Sequence, residues 1–162
     1  MAVDDAEMSL EEYRAFAEFR YVLRRFLNFS ETAARSASIE PQQHQLLLAL
    51  KGLPPDLRPT IGTLAERLQL RHNSTVELAQ RSIESGLVQR RSSPHDGREV
   101  LLSITARGER LLQKLSVEHR AEMRSAAPAL IQALRRLIEA GEAPAAQARE
   151  HYSGDRPHPE EN

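Results

Sequence analysis

Between residues 60 and 105 the apolar residues change their spacing from steps of three and four to β-like runs on either side of Asp96-Gly97. Thr60 is placed to cap a helix in which Ile61, Leu64, Ala65 and Leu68 fall at i, i+3, i+4 and i+7. The run Arg71-His72-Asn73-Ser74-Thr75 interrupts that pattern, and Asn73 or Ser74 can cap a further helix. Its inward side is expected to carry Val76, Leu78, Ala79 and Ile83. Gly86 follows at the position where a helix ends in a left-handed residue. Residues 87–92 and 100–105, rich in β-formers, then flank Pro94-His95-Asp96-Gly97-Arg98, and Asp-Gly between such runs is a strong hairpin signal.

Two short helices joined by a tight turn and followed by a hairpin are the layout of a winged helix-turn-helix. The flanks read as helix. Over 9–35, Tyr13, Phe16, Phe19, Val22, Leu23, Phe26, Leu27 and Phe29 recur at steps of three and four but spread over roughly 200° of the helical wheel, wider than one core contact needs. Six of the seven aromatic residues lie there, which points to a dimer interface; the alternative is a central helix of a monomeric bundle. Pro41 can open a helix that buries Leu46, Leu47 and Leu50, and the stretch from Gly52 to Pro59 is a loop because of its three prolines. Thr105 can cap a long helix through Leu111, Leu112, Leu115 and Met123, with Pro128 expected to end or kink it before a further amphipathic series to Ile138.

The expected class is mainly α with a small β-hairpin wing: a winged helix-turn-helix with N- and C-terminal dimerisation helices. The boundaries are 9–35 and 106–140 for the dimerisation region, 41–105 for the DNA-binding domain, and 141–162 for a tail expected to be disordered. A length of 162 residues suits one well-cored domain, or a small domain with an oligomerisation element.

Several functions are excluded or disfavoured. With no cysteine there is no disulfide framework, thiolate metal site or thiol switch. No apolar run approaches the roughly 20 residues of a membrane span, and the start of the chain lacks the basic region and apolar core of a secretory signal. A cytoplasmic protein without membrane partners is expected. No nucleophile elbow, phosphate-cradling glycine loop or His-Glu-x-x-His helix is present, so neither an enzyme nor a cofactor is expected. His119 is in line with Leu112, Leu115 and Met123, and His44 with Leu47 and Leu48, near the expected helix junction. No two of the six histidines stand four apart and zinc needs three or four ligands, so structural histidines are favoured over a metal site.

The formal charge of −1 hides a pattern. Residues 1–12 hold five acidic residues and no basic one, whereas 58–98 hold seven arginines against four acidic residues. All but two of the 22 basic residues, Lys51 and Lys114, are arginine, whose planar fork suits phosphates and guanine edges. Codon bias would explain that excess equally well. On the second short helix, Arg71, Asn73, Ser74, Thr75, Glu77, Gln80 and Arg81 can hydrogen-bond to bases or phosphates in a major groove. A solvated helix face would look the same. The hairpin adds Arg90 and Arg91 on its first strand and Arg98 at its tip, within reach of a narrow minor groove.

Ser74-Thr-Val-Glu-Leu-Ala-Gln-Arg81, Gly86-Leu-Val-Gln-Arg-Arg91, Asp96-Gly-Arg98 and Leu102-Ser-Ile-Thr-Ala-Arg-Gly108 together resemble the MarR family of transcription regulators, over about residues 13–137. The resemblance implies a homodimeric repressor, relieved by a ligand, that binds a pseudo-palindromic site in double-stranded DNA with half-site centres ~10 base pairs apart. In such a protein Asp96 would orient the wing, Arg98 would enter the minor groove and residues 73–81 would read the major groove. A small aromatic or anionic effector would bind near the helix junction, where Phe19, Arg20, His44 and Leu47 are candidates. Two positions depart from the family pattern: Ser82 replaces a common leucine, which would shift the phase of the recognition helix by one residue, and Gly97 replaces an arginine of the wing. The rival class is a winged-helix module that contacts protein rather than DNA. Salt separates the two, because phosphate contacts make affinity fall steeply with salt and an apolar interface does not.

Overall fold

The computed structural model of the chain describes residues 8–92 and 100–142. The elements are α1 (Leu10–Ser36), α2 (Pro41–Lys51), α3 (Ile61–Leu68), α4 (His72–Glu84), β1 (Val88–Ser92), β2 (Val100–Ile104) and α5 (Ala106–Glu142). This is the mainly helical, winged helix-turn-helix class that the sequence predicts. The described residues divide into two compact units, one of 8–22 and 128–142, the other of 23–92 and 100–127.

Local chemistry sets the helix starts. At the head of α1, the Ser9 N–H donates to Glu12 and the Glu12 N–H donates to Ser9 Oγ, a reciprocal cap. Pro41 occupies the first turn of α2, and the Glu40 N–H donates to Gln43 Oε1 at 3.1 Å. Thr60 Oγ1 accepts from the Thr63 N–H at 3.1 Å to open α3. That helix ends without glycine: Gln69 takes a left-handed φ of 54°, and the turn into α4 is only residues 69–71.

The core of the larger unit joins α2, α3, α4, the hairpin and α5. Leu46, Leu47, Leu64, Leu78, Leu87 and Leu115 are fully buried, with Val88, Leu102 and Leu112 beside them. The strands pair antiparallel from Val88 opposite Ile104 to Ser92 opposite Val100. β2 is also tied to the proline-containing loop, since the Leu102 N–H donates to the Pro59 carbonyl at 2.9 Å.

Four element ends meet at Thr105. Its Oγ1 donates to the Gly86 carbonyl at 2.7 Å and accepts from the Gly108 N–H at 3.1 Å, capping α5. Its own N–H donates to the Leu87 carbonyl at 3.0 Å. Gly86, with φ 67°, makes the left-handed exit from α4 that a side chain would strain.

Three sequence expectations are corrected. Arg71, not Asn73 or Ser74, is the N-cap of α4, so that helix begins earlier than the polar run suggests. Pro128 neither ends nor splits the last helix: α5 continues to Glu142. The proline removes one N–H, and Ala126, Ala127, Ala129 and Leu130 around it are strong helix formers. Val76 faces outward, as described below. The hairpin turn at 93–99 and the tail from 143 onward lie outside the described residues.

In the smaller unit Ala15, Val22 and Ala133 are buried. Leu10, Tyr13 and Phe16 of α1 are exposed, as are Ile131, Leu134 and Ile138 of α5.

Gly108 leaves the space that the Thr105 junction needs. A Cβ there would collide with the Leu87 carbonyl oxygen and come within 2.7 Å of Ile104 Cγ2. Gly108→Ala is therefore expected to destabilise the chain by about 1–3 kcal/mol. The measurement is the urea midpoint; wild-type stability would mean that the junction yields more easily than its geometry indicates.

Candidate nucleic-acid interface

α4 is held by one row of small and apolar residues. Thr75, Leu78 and Ser82 are completely inaccessible and Ala79 is nearly so, a series at i, i+3, i+4 and i+7. Two hydroxyls can join this row because each bonds back to its own helix. Thr75 Oγ1 donates to the Arg71 carbonyl at 3.1 Å and Ser82 Oγ donates to the Leu78 carbonyl at 2.8 Å. The small Ser82 thus takes a core position that a longer side chain would fill differently, and Ile83 is only half-buried.

The opposite face is exposed. It presents His72, Asn73, Ser74, Val76, Glu77, Gln80 and Glu84, with Arg81 half-buried at its side. Of the residues proposed from sequence for DNA contact, Arg71, Asn73, Ser74, Glu77 and Gln80 are exposed on or beside this face. Thr75 is the exception, since both its burial and its hydrogen bond direct it into the protein. Val76 reverses its expected place and is exposed. The cause is rotational: with Thr75 and Ser82 inward, a residue one position after Thr75 is turned by 100° away from the core.

Polar contacts join this face to its neighbours. Arg90 of β1 donates to Gln80 Oε1 at 2.9 Å, and Gln80 Nε2 donates to Glu84 Oε1 at 2.9 Å. The strand arginine is thereby held beside α4. Arg81 pairs with Glu40 at 3.3 Å, an exposed pair of small energetic weight. Arg91, exposed, follows on β1. Asp96 and Arg98 lie outside the described residues.

The four residues considered for an effector fall in different places. Phe19 is half-buried and Arg20 exposed on the α1 segment of the smaller unit. Leu47 is fully buried in the core of the larger unit, and His44 lies on the same helix.

The structure does bring His44 and His119 together. Their ring centroids are 4.7 Å apart, and Phe29 meets His119 edge-on at 5.4 Å. His119 Nδ1 lies 2.7 Å from the Leu115 carbonyl and Nε2 lies 2.9 Å from Ser30 Oγ. A carbonyl only accepts, so Nδ1 carries the proton, and the Ser30 hydroxyl donates to Nε2 when the ring is neutral. His44 is 3% exposed, and its Nδ1 has no hydrogen-bond partner among the described residues. Spacing in the sequence did place both histidines near one junction, but their mutual contact depends on helices α2 and α5 being packed. No group of three or more metal-ligating side chains occurs among the described residues.

Burial, and secondarily repulsion from His119, push the His44 pKa below its ordinary 6.5. In this range the unfolded chain binds the proton more readily than the folded one, so stability falls as pH drops below about 6.5. Urea midpoints should accordingly decline on acidification, and His44→Leu should flatten that decline. An unchanged slope in the variant would remove His44 as its source.

Residues 37–99 match the family model for the MarR family. No curated protein matches the sequence. The chain is similar to AbsC, a MarR family transcriptional regulator from Streptomyces coelicolor, with 19% identity, 85% of this chain and 93% of that chain covered, and a TM-score of 0.66. It is similar to a second MarR family transcription regulator with 23% identity, coverage of 81% and 93%, and a TM-score of 0.62. Staphylococcus aureus MepR, in a structure of its complex with DNA, gives 17% identity, coverage of 75% and 89%, and a TM-score of 0.58. Residues 37–99 thus match the MarR family model, and the described residues carry the winged-helix fold of the solved MarR family transcription regulators to which the chain is similar.

Proposed function

We propose that this protein is a sequence-specific DNA-binding transcription regulator rather than an enzyme, with α4 as the element that enters the major groove. The observation that carries this is the outer face of α4, polar except at Val76, mounted on a fully buried row and flanked by Arg90 and Arg91 of β1. Such a face offers donors and acceptors to base edges, while guanidinium groups beside it neutralise phosphates. The MepR–DNA complex supports the reading, since a chain of the same fold binds DNA there. A cytoplasmic location fits this role.

The finer proposal is a homodimeric repressor whose affinity is lowered by a small aromatic or anionic effector. The exposed apolar rows of the smaller unit support dimerisation. Ile131, Leu134 and Ile138 stand at i, i+3 and i+7, facing solvent in the single chain, and Leu10, Tyr13 and Phe16 are exposed on α1. A dimer would present two copies of α4 to a pseudo-palindromic site. The regions 9–35 and 106–140 are proposed for dimerisation and 41–105 for DNA contact.

Two expectations follow. By size exclusion the chain should run as a dimer, and Ile131→Glu combined with Ile138→Glu should convert it to a monomer; a monomeric wild type would refute the dimer. In fluorescence anisotropy on duplexes selected from a random pool, affinity should be sequence-selective and fall steeply with salt. Asn73→Ala should cost about 1–3 kcal/mol and relax selectivity at one position, while Arg91→Ala should weaken all duplexes and lower the salt slope by about 1. Absence of selectivity at every salt concentration would favour a winged helix that contacts protein instead.

A further inference from the structure

Val76 is the one apolar side chain among the exposed residues of α4. It is 40% exposed, while Leu78 and Ala79 are buried and Ile83 is half-buried. Its position is not adjustable. Turning Val76 inward would rotate Thr75 and Ser82 out of the core, breaking the row that seats the helix and exposing Leu78 or Ala79 in exchange. Nor does valine favour the helix itself, because a β-branched side chain loses rotamer freedom there and an exposed position would be more stable with alanine, glutamate or lysine.

The surroundings of Val76 are polar. Asn73 stands one turn before it and Gln80 one turn after, with His72 also one turn before. Gln80 has both ends of its amide engaged, with Arg90 on the oxygen and Glu84 on the nitrogen. On this shoulder of the helix, Asn73 is thus the amide left facing outward, and Val76 is the apolar contact beside it. Val76 is also the fifth residue of α4, in the N-terminal part of the helix, where a recognition helix brings its side chains to base edges.

Base-pair edges in the major groove carry many donors and acceptors but a single apolar group, the thymine 5-methyl. A short, stiff, apolar side chain at the centre of a polar reading face is complementary to that group and to no other on the edges. We infer that Val76 is a specificity-determining residue that packs against a thymine 5-methyl in the major groove. Asn73, one turn away, has the bidentate geometry for an adjacent adenine. This inference rests on the DNA-binding proposal above and deepens it.

The experiment uses the full chain and duplexes that it selects from a random pool, in which each thymine is replaced in turn by deoxyuridine. That change removes the 5-methyl and leaves the base-pairing edge intact. For the wild type, replacing one thymine in a half-site should weaken binding about fourfold, the cost of one buried methyl. Val76→Ala should bind the thymine duplex about fourfold more weakly and bind the thymine and deoxyuridine duplexes alike. Val76→Thr, which keeps a methyl at the branch, should restore part of the difference. Thermal unfolding of both variants checks that the fold is retained, as an exposed position predicts. The inference is overturned if no deoxyuridine replacement weakens wild-type binding, or if the penalty persists undiminished in Val76→Ala; in either case selective binding itself stands. Failure to select any sequence would overturn the DNA-binding proposal as well.

Discussion

The junction at Thr105 is the constraint on which the larger unit depends. One hydroxyl serves the end of α4 by donating to the Gly86 carbonyl and the start of α5 by accepting from the Gly108 N–H. The Leu87 carbonyl, at the entry to β1, is met by the Thr105 N–H at the exit from β2. Because Gly108 has no side chain, Leu87 and Ile104 approach α5 closely. The exit of α4, the base of the hairpin and the start of α5 are therefore positioned by the same few atoms. Movement of one cannot leave the others unchanged, since the interior around them is filled by Leu47, Leu87 and Leu112.

From that anchor, α4 acquires a defined rotation. The buried row of Thr75, Leu78, Ala79 and Ser82 decides which side chains meet solvent, and the two hydroxyls satisfy themselves on carbonyls four residues earlier. An outer face results on which polar groups and one valine are arranged at helical spacing. Arg90 is drawn beside it through Gln80, so the hairpin and the helix present their functional groups on adjoining surfaces.

Away from that face, the larger unit holds a polar element inside its helical packing. His119 is fixed by the Leu115 carbonyl and Ser30, and His44 faces it from α2 with little access to water. Burial, and secondarily the neighbouring His119, disfavour a charge on His44, so its protonation and the packing are coupled there. The smaller unit, by contrast, leaves apolar rows on both of its helical segments exposed in the single chain.

Much of this was legible in the residues themselves. Proline at the head of α2, threonine before α3 and α5, glycine after α4 and Asp-Gly between two β-like runs are local signals, because caps and turns are satisfied within a few residues. They establish the order of elements and with it the fold class. What was not legible came from tertiary contact. Arg71 is the N-cap of α4 although Asn73 and Ser74 are the better capping residues, since packing of Thr75 and Leu78 into the core extends the helix backwards. Pro128 was a strong stop signal, yet α5 continues through it to Glu142 with helix formers on either side. Periodicity counts Val76 as apolar and Thr75 and Ser82 as polar, and so sets the wrong inner edge for α4. Only the packed structure shows that two small hydroxyl side chains fit the core where valine would face water, because burial depends on the volume available between elements and on a nearby carbonyl to accept each hydroxyl proton. The chain by itself determined which elements form and in what order; the rotation of α4, and therefore which of its side chains face outward, was decided by packing.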